Sequence, residues 1–379
     1  MKRITYISGT RADYGLMRNT LFEIAKHPDL KLSVIATGMH LMPEFGKTLE
    51  EIKKDGFNIY EVKAVCEKDD KAVMSRIVGE LIIRFTEIFK KIKPNIVLVL
   101  GDRGEMLAGA IAGTYLGIPI VHVHGGEISS TVDEHVRHAI TKLAQVHLVA
   151  TRDGAERIIK MGENKKNVYV VGAPGLDDIH KDLFSGKYLE KKFMLDLKRP
   201  FVIVTQHPVS HEFLDSEKQM RETVEAIRAL GLQAIVTYPN ADAGSGRMIK
   251  IIEEYRNFRT IKIFRNIPRK EFLSLMSYTS AIVGNSSAGI IEAASFKLPV
   301  INIGTRQEGR LRTINVIDVG YNKKGIFSAI KKAIYNKRFK NALKRCKNPY
   351  GDGKSGKRIA KILSEIKINK KLLQKKITY

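Results

Sequence analysis

The chain of 379 residues has no tryptophan and only two cysteines, Cys66 and Cys346. These lie far apart and neither stands in a metal-ligand spacing, which argues against a disulfide framework or zinc cluster and for a reducing cytoplasm. No apolar run approaches the roughly 18 residues that a membrane span needs. The opening Met1-Lys2-Arg3-Ile4-Thr5-Tyr6-Ile7-Ser8-Gly9 offers too short an apolar stretch for a signal peptide. A soluble cytoplasmic chain with no membrane partner is expected. Acids are also scarce in one region: after Tyr321 only Asp352 and Glu365 occur, so much of the net charge of +25 is concentrated there. That charge invites a nucleic-acid reading. Yet no aromatic-interleaved basic segment or base-reading motif accompanies it, so no nucleic-acid partner is expected. Attraction of a polyanionic nucleotide substrate, or solubility and thermal hardiness, explains the excess as well.

What the chain does have is alternation. Short apolar runs of strand length alternate with amphipathic segments of helix length, the pattern of parallel sheets with crossover helices. Ile4 to Ile7, Leu32 to Ala36, Ile96 to Leu100, Ile118 to Val123, Val146 to Ala150 and Val168 to Val171 form one series. Phe201 to Thr205, Ala234 to Thr237, Ile261 to Phe264, Ala281 to Val283, Val300 to Ile303 and Val316 to Val319 form another. The length also exceeds a usual single core, so two doubly wound α/β domains in tandem are expected. Gly172-Ala173-Pro174-Gly175 punctuates the repeat. The expected division is 1–175, a domain with acid-base residues; 176–355, a nucleotide-binding domain; and 356–379, a basic helix able to pack back on the first.

In open parallel sheets ligands bind beyond the carboxyl ends of the strands, and the motifs concentrate there. The most informative is Gly284-Asn285-Ser286-Ser287-Ala288-Gly289, followed by Glu292 and Gly304-Thr305-Arg306. A hydroxyl-rich turn opening a helix suits a diphosphate. Glu292 can accept both ribose hydroxyls, and Arg306 adds a cation, so the segment reads as a nucleotide-diphosphate seat. After the first run, Gly9-Thr10-Arg11-Ala12-Asp13 is either a capped helix start or a turn that brings Arg11 to a phosphate. His40, in Thr37-Gly38-Met39-His40, either bonds a sugar or lines the edge of a cleft. Gly101-Asp102-Arg103-Gly104-Glu105, His122-Val123-His124-Gly125-Gly126-Glu127 and Asp133-Glu134-His135-Val136-Arg137-His138 concentrate titratable groups and read as acid-base machinery. On a strand, His122 and His124 share one face, yet no open-coordination triad accompanies them and no metal is expected. His207, in Gln206-His207-Pro208, is the strongest single histidine of the second series. Gly351 to Arg358 fails as a phosphate loop, with Arg358 where Ser or Thr should stand, and reads as a cap on the last helix.

Taken in order and spacing, these motifs resemble the hydrolysing nucleotide-sugar 2-epimerases that make N-acetylmannosamine for sialic-acid pathways. The resemblance implies a glycosyltransferase-B-like fold, two Rossmann-like doubly wound domains around a deep interdomain cleft, with UDP held mainly by the second. It places nucleotide contacts on Arg11, Arg103, His207, Asn240, Ser286, Ser287, Glu292 and Arg306, with the backbone near Ile267 facing the base. Acid-base roles fall on Asp102 and Asp133, with Arg137 and His207 beside the leaving diphosphate. Where many members carry Glu this chain has His124, and Glu127 is the nearest carboxylate to replace it. The implied reaction converts UDP-N-acetylglucosamine to N-acetylmannosamine and UDP through a glycal, with no cofactor and no obligatory metal. A GDP-sugar or a 4-modified UDP-sugar is the alternative substrate, and a glycosyltransferase of the same fold the alternative enzyme. A homo-oligomer, dimer or tetramer, is expected.

Overall fold

The computed structural model describes residues 1–42, 48–64, 71–128, 132–240 and 244–378. The chain divides into two compact units: Met1–Glu127 with Val132–Asp178 and Tyr350–Tyr379, and Ile179–Pro349 with Ile128–Thr131. In the first, β1 (Lys2–Ser8), α1 (Arg11–Lys26), β2 (Leu30–Ala36), α2 (Thr48–Lys54), β3 (Asn58–Glu61), α3 (Lys71–Ile92), β4 (Ile96–Leu100), α4 (Gly104–Tyr115), β5 (Ile120–Val123), α5 (Val132–Leu143), β6 (Val146–Val149), α6 (Arg152–Lys160) and β7 (Val168–Val170) follow one another. The strands form a seven-stranded parallel sheet in the order β3-β2-β1-β4-β5-β6-β7. Side chains of β1 and β4 alternate between two cores: Ile4, Tyr6, Ile96 and Leu98 pack with α1 residues, and Ile7, Val97 and Val99 with Leu81, Phe85 and Phe89 of α3. Burial on both faces is why these strands read as unbroken apolar runs.

The second unit holds α7 (Gly186–Phe193), β8 (Phe201–Thr205), α8 (Ser216–Ala229), β9 (Gln233–Thr237), α9 (Ser245–Glu254), β10 (Ile261–Phe264), α10 (Arg269–Met276), β11 (Ala281–Gly284), α11 (Ser287–Ile291), β12 (Val300–Ile303), β13 (Val316–Val319), α12 (Lys323–Tyr335) and α13 (Lys337–Leu343). Its six-stranded parallel sheet runs β10-β9-β8-β11-β12-β13. Counted from β8, that order is 3-2-1-4-5-6, and the first six strands of the other sheet repeat it. Each sheet therefore reverses direction once, β1 against β4 and β8 against β11, and ligand sites in such folds lie at this reversal. Every apolar run named above falls on a strand, although β5 begins two residues inside its run and β6 and β7 each stop one residue short of theirs. The structure adds β3, whose Asn58 and Glu61 are exposed at the sheet edge.

From Tyr350 the chain belongs to the first unit, where α14 (Ser355–Glu365) packs on α1 through Ile359 and Leu363. The start of α14 is capped by a side chain remote in sequence. Asp177 accepts the backbone N–H groups of Ser355 at 2.8 Å and Gly356 at 2.5 Å, while Arg358 holds Asp352 at 2.7 Å. The loop that almost spells a phosphate cradle thus has a carboxylate where a phosphate would sit. Among the described residues no helix is long and apolar enough to cross a membrane. Removing the remote cap in Asp177→Ala should cost about 1 to 2 kcal/mol, read as a lower urea midpoint. An unchanged midpoint would show that α14 is held by its apolar face alone.

Candidate active site

In the first unit the turn after β1 is a capping box. Thr10 Oγ1 accepts the Asp13 N–H at 3.2 Å and Asp13 Oδ2 accepts the Thr10 N–H at 2.7 Å. Burial lifts the Asp13 carboxyl to about 6, against the lowering effect of the Ser8 and Thr10 hydrogen bonds. Arg11 forms an ion pair with Glu51 at 3.1 Å, both side chains more than a third exposed. Such a pair is worth about 0 to 1 kcal/mol. His40 lies in the interior, 3% exposed, with Nε2 at 2.9 Å from Ser8 Oγ and Nδ1 at 3.0 Å from Thr48 Oγ1. Burial pushes it down to about 4. Both ring nitrogens are committed to the fold, so His40 ties β1, β2 and α2 together instead of lining a sugar site.

The end of β4 carries Asp102 and Arg103. Asp102 accepts a hydrogen bond from Arg137 Nη2, and Arg137 Nη1 donates to the Glu127 carbonyl at 2.9 Å. The Arg137 side chain is 4% exposed, Asp102 25%. One guanidinium therefore joins the end of β4, the loop after β5, and α5. Asp133 lies exposed on α5 one turn before Arg137, on the same side of the helix. Glu127 is buried, with Oε1 3.8 Å from where a Cβ on Gly154 would lie, beside the first turn of α6.

The two histidines of the His-x-His segment do not share a face. Strand β5 ends at Val123, and His124 takes a left-handed backbone (φ +62°) and is half-buried. His122 is fully buried: Nε2 donates to the Gly101 carbonyl at 2.8 Å, leaving Nδ1 to accept from Thr141 Oγ1 at 3.1 Å. Among the described residues no three His, Cys, Asp or Glu side chains converge to hold a metal. Cys346 is buried and free, while Cys66 lies outside the described residues.

In the second unit Asn285 organises the reversal. Its Oδ1 accepts the His207 N–H at 2.7 Å and its Nδ2 donates to the His207 carbonyl at 2.8 Å. Its own carbonyl accepts from Gln307 Nε2 at 2.8 Å and from Arg306 Nη1 at 3.4 Å. His207 Nδ1 accepts the Asn240 N–H at 3.0 Å, which leaves the ring proton on Nε2. Burial, and then the charge of Arg306, push His207 down to about 3, so it is a neutral Nε2–H donor at ordinary pH. Ser286 caps the five-residue helix α11, accepting the Ala288 N–H at 3.4 Å, and Ser287 is its first residue. A helix so short contributes little dipole, and cationic side chains matter more. Glu292 is buried and its Oε1 accepts from Arg269 Nη1 at 2.5 Å. Arg269 opens α10 directly after the buried Ile267 and the exposed Pro268. Sequence reasoning missed both Arg269 and the bridging role of Asn285, although Asn285 stands inside the quoted motif.

Both units thus carry their polar side chains at the carboxyl ends of the strands that flank a sheet reversal, which defines a tandem doubly wound α/β protein of the ligand-binding kind. The family described as UDP-N-acetylglucosamine 2-epimerase matches residues 22–364. The chain is 40% identical over 377 residues, 99% of each protein, to the UDP-N,N'-diacetylbacillosamine 2-epimerase (hydrolyzing) of Legionella pneumophila. It is 36% identical over 326 residues, 85% of each, to the GDP/UDP-N,N'-diacetylbacillosamine 2-epimerase (hydrolyzing) of Campylobacter jejuni. In fold it is similar to the UDP-GlcNAc 2-epimerase from Neisseria meningitidis crystallised with UDP-GlcNAc, with a TM-score of 0.84 at 20% identity over 96% of this chain and 99% of that one. The fold is glycosyltransferase-B-like. The chain belongs to the UDP-N-acetylglucosamine 2-epimerase family, and its activity is accordingly the 2-epimerisation of a nucleotide sugar.

The buried histidine has a measurable consequence. His122 is pushed from 6.5 down to about 3 by burial, so the unfolded chain takes up a proton that the folded chain refuses. The stability it contributes is present above about pH 6.5 and lost as pH falls toward 3. His40 and His207 act in the same direction, and Asp13, raised by burial, opposes them. The urea midpoint should therefore fall between pH 7 and pH 5, and fall less steeply in His122→Gln. A slope unaffected by that substitution would mean that His122 titrates in the folded protein.

Proposed function

We propose that the protein is a hydrolysing 2-epimerase acting on a UDP-sugar with acetamido groups at C2 and C4. The observation that carries the substrate choice is the 40% identity, over 99% of both proteins, to the UDP-N,N'-diacetylbacillosamine 2-epimerase of Legionella pneumophila. UDP-N-acetylglucosamine, giving N-acetylmannosamine and UDP, is the second reading, favoured by the description of the family. Incubating the protein with each UDP-sugar and its GDP counterpart, and following free sugar by NMR, decides among them.

The C2 hydrogen of such a sugar is not next to a carbonyl, so direct deprotonation would be very slow. Elimination avoids this: a base takes the C2 proton as the C1–O bond to UDP breaks, leaving a glycal. A proton then reaches C2 from the opposite face and water supplies the hydroxyl at C1. Asp102, oriented by Arg137, and Asp133 on the same helix are our candidates for proton transfer. His124 is the further acid-base candidate, since Glu127 is buried beside α6. Arg306, the Nε2–H of His207 and the hydroxyls of Ser286 and Ser287 suit the departing diphosphate. The Arg269-paired Glu292, with Asn240 and the backbone at Ile267, suits the nucleoside. Arg11 and Arg103 are further candidates for anionic groups of the substrate.

Two outcomes follow. Arg306→Ala should weaken UDP binding by about tenfold or more, the effect of losing a charge-assisted hydrogen bond, and unchanged affinity by calorimetry would remove Arg306 from the site. In heavy water the released sugar should carry deuterium at C2, and Asp102→Asn should lose both this label and UDP release while still binding UDP. Product lacking C2 deuterium would rule out the elimination.

A further inference from the structure

Glu105 has no part in the reaction as described, yet three of the sequence motifs meet on its carboxylate. It is the second residue of α4 and its side chain is 8% exposed. A Cβ on Gly9 would lie 2.7 Å from Glu105 Oε1 and 2.8 Å from its Cδ, and a Cβ on Gly38 would also lie 2.7 Å from Oε1. The Met39 N–H donates to the Gly9 carbonyl at 2.9 Å, so the two turns are themselves joined. The glycines after β1 and β2 thus leave a slot that the carboxylate fills.

A carboxylate placed there needs a cation. Arg103 supplies it through Nε at 3.2 Å to Oε2 and Nη2 at 3.1 Å to Oε1. This side-on fork uses one edge of the guanidinium. It leaves Nη1 without a protein partner among the described residues, on a side chain 41% exposed. The anion of the pair is thus buried and immobile, while the cation stands at the carboxyl end of β4 beside Asp102. An arginine free to sample its rotamers would lose considerable entropy on meeting a ligand, and one already docked on a buried carboxylate loses less.

We propose that Glu105, seated in the slot between Gly9 and Gly38, is a positioning residue that presents the outer edge of the Arg103 guanidinium to an anionic group of the substrate. This rests on the reading of Arg103 as a substrate contact, and wild-type turnover of the UDP-sugars, measured first, tests the parent function by itself. The inference is tested by a double-mutant cycle in kcat/KM. Arg103→Met should lower kcat/KM by about tenfold or more. Glu105→Gln, which keeps the shape and removes the charge, should lower it in the same direction, and the double variant should be no worse than Arg103→Met alone. Losses that multiply in the double variant, or wild-type kcat/KM in either single variant, would overturn the assignment. Should Glu105→Gln fail to fold, Gly9→Ala takes its place in the cycle. It crowds the carboxylate without removing it, and its effect on kcat/KM should vanish in the Arg103→Met background; an equal effect there would overturn the assignment.

Discussion

A single buried guanidinium organises the first unit's polar cluster. Arg137 is almost wholly enclosed, and its hydrogen bonds to the Asp102 carboxylate and the Glu127 carbonyl help to compensate a charge in that position. The same residue is tied from behind. Thr141 lies 3.0 Å from the Arg137 carbonyl and 3.1 Å from His122 Nδ1, and His122 Nε2 donates to Gly101, the neighbour of Asp102. Gly101, His122, Thr141, Arg137 and Asp102 therefore close a ring of contacts that spans β4, β5 and α5. The orientation of Asp102 is a property of that ring, and a buried neutral histidine is one of its parts.

At its own reversal the second unit uses a neutral side chain as the bridge. Asn285 joins the ends of β8 and β11 with a neutral amide and lends its carbonyl to Arg306 and Gln307. His207 is kept neutral by burial and by Arg306, and so adds a donor without adding a charge. The difference suits the tasks we propose. Proton transfer needs a carboxylate fixed in direction, which an ion pair supplies. Holding a diphosphate needs positive potential, and the neutral side chains of Asn285 and His207 add no negative charge beside Arg306. Glu292 is the exception, since Arg269 holds it at 2.5 Å.

Most of the strand pattern was legible because β4, β5, β6, β8, β9, β11 and β12 are buried along their whole length and therefore read as largely apolar runs. Strand β3 was not, because an edge strand with exposed Asn58 and Glu61 carries no such run. The motifs at the sheet reversals were visible as motifs, but their internal pairing was not. His40 and His122 look in sequence like the other histidines of these motifs, and only packing shows that both ring nitrogens of each are spent inside the fold. The shared face expected of His122 and His124 assumed a strand one residue longer than β5, and the left-handed backbone at His124 ends the alternation. Glu292 was legible as an acid near the turn, whereas its partner Arg269 lies on another helix. Spacing cannot report a contact between residues far apart along the chain.

The concentration of lysine toward the end of the chain also acquires a local explanation. Lys375 Nζ donates to the carbonyls of Thr141, Lys142 and Ala144 at 3.1, 2.6 and 2.7 Å, and pairs with Glu163 at 2.6 Å. Those carbonyls are at the carboxyl end of α5, where the backbone has no partners of its own and the helix dipole favours a cation. At the other end of the chain, Lys2 Nζ does the same for α14, donating to Leu363 at 3.2 Å, to Ser364 and to Ile366 at 2.6 Å. A fold rich in helices presents many such carboxyl ends, and some of the basic excess is spent on closing them. In the case of Lys375 the helix being closed is the one that carries Asp133 and Arg137, so the terminal segment is linked through one helix to the residue that orients Asp102.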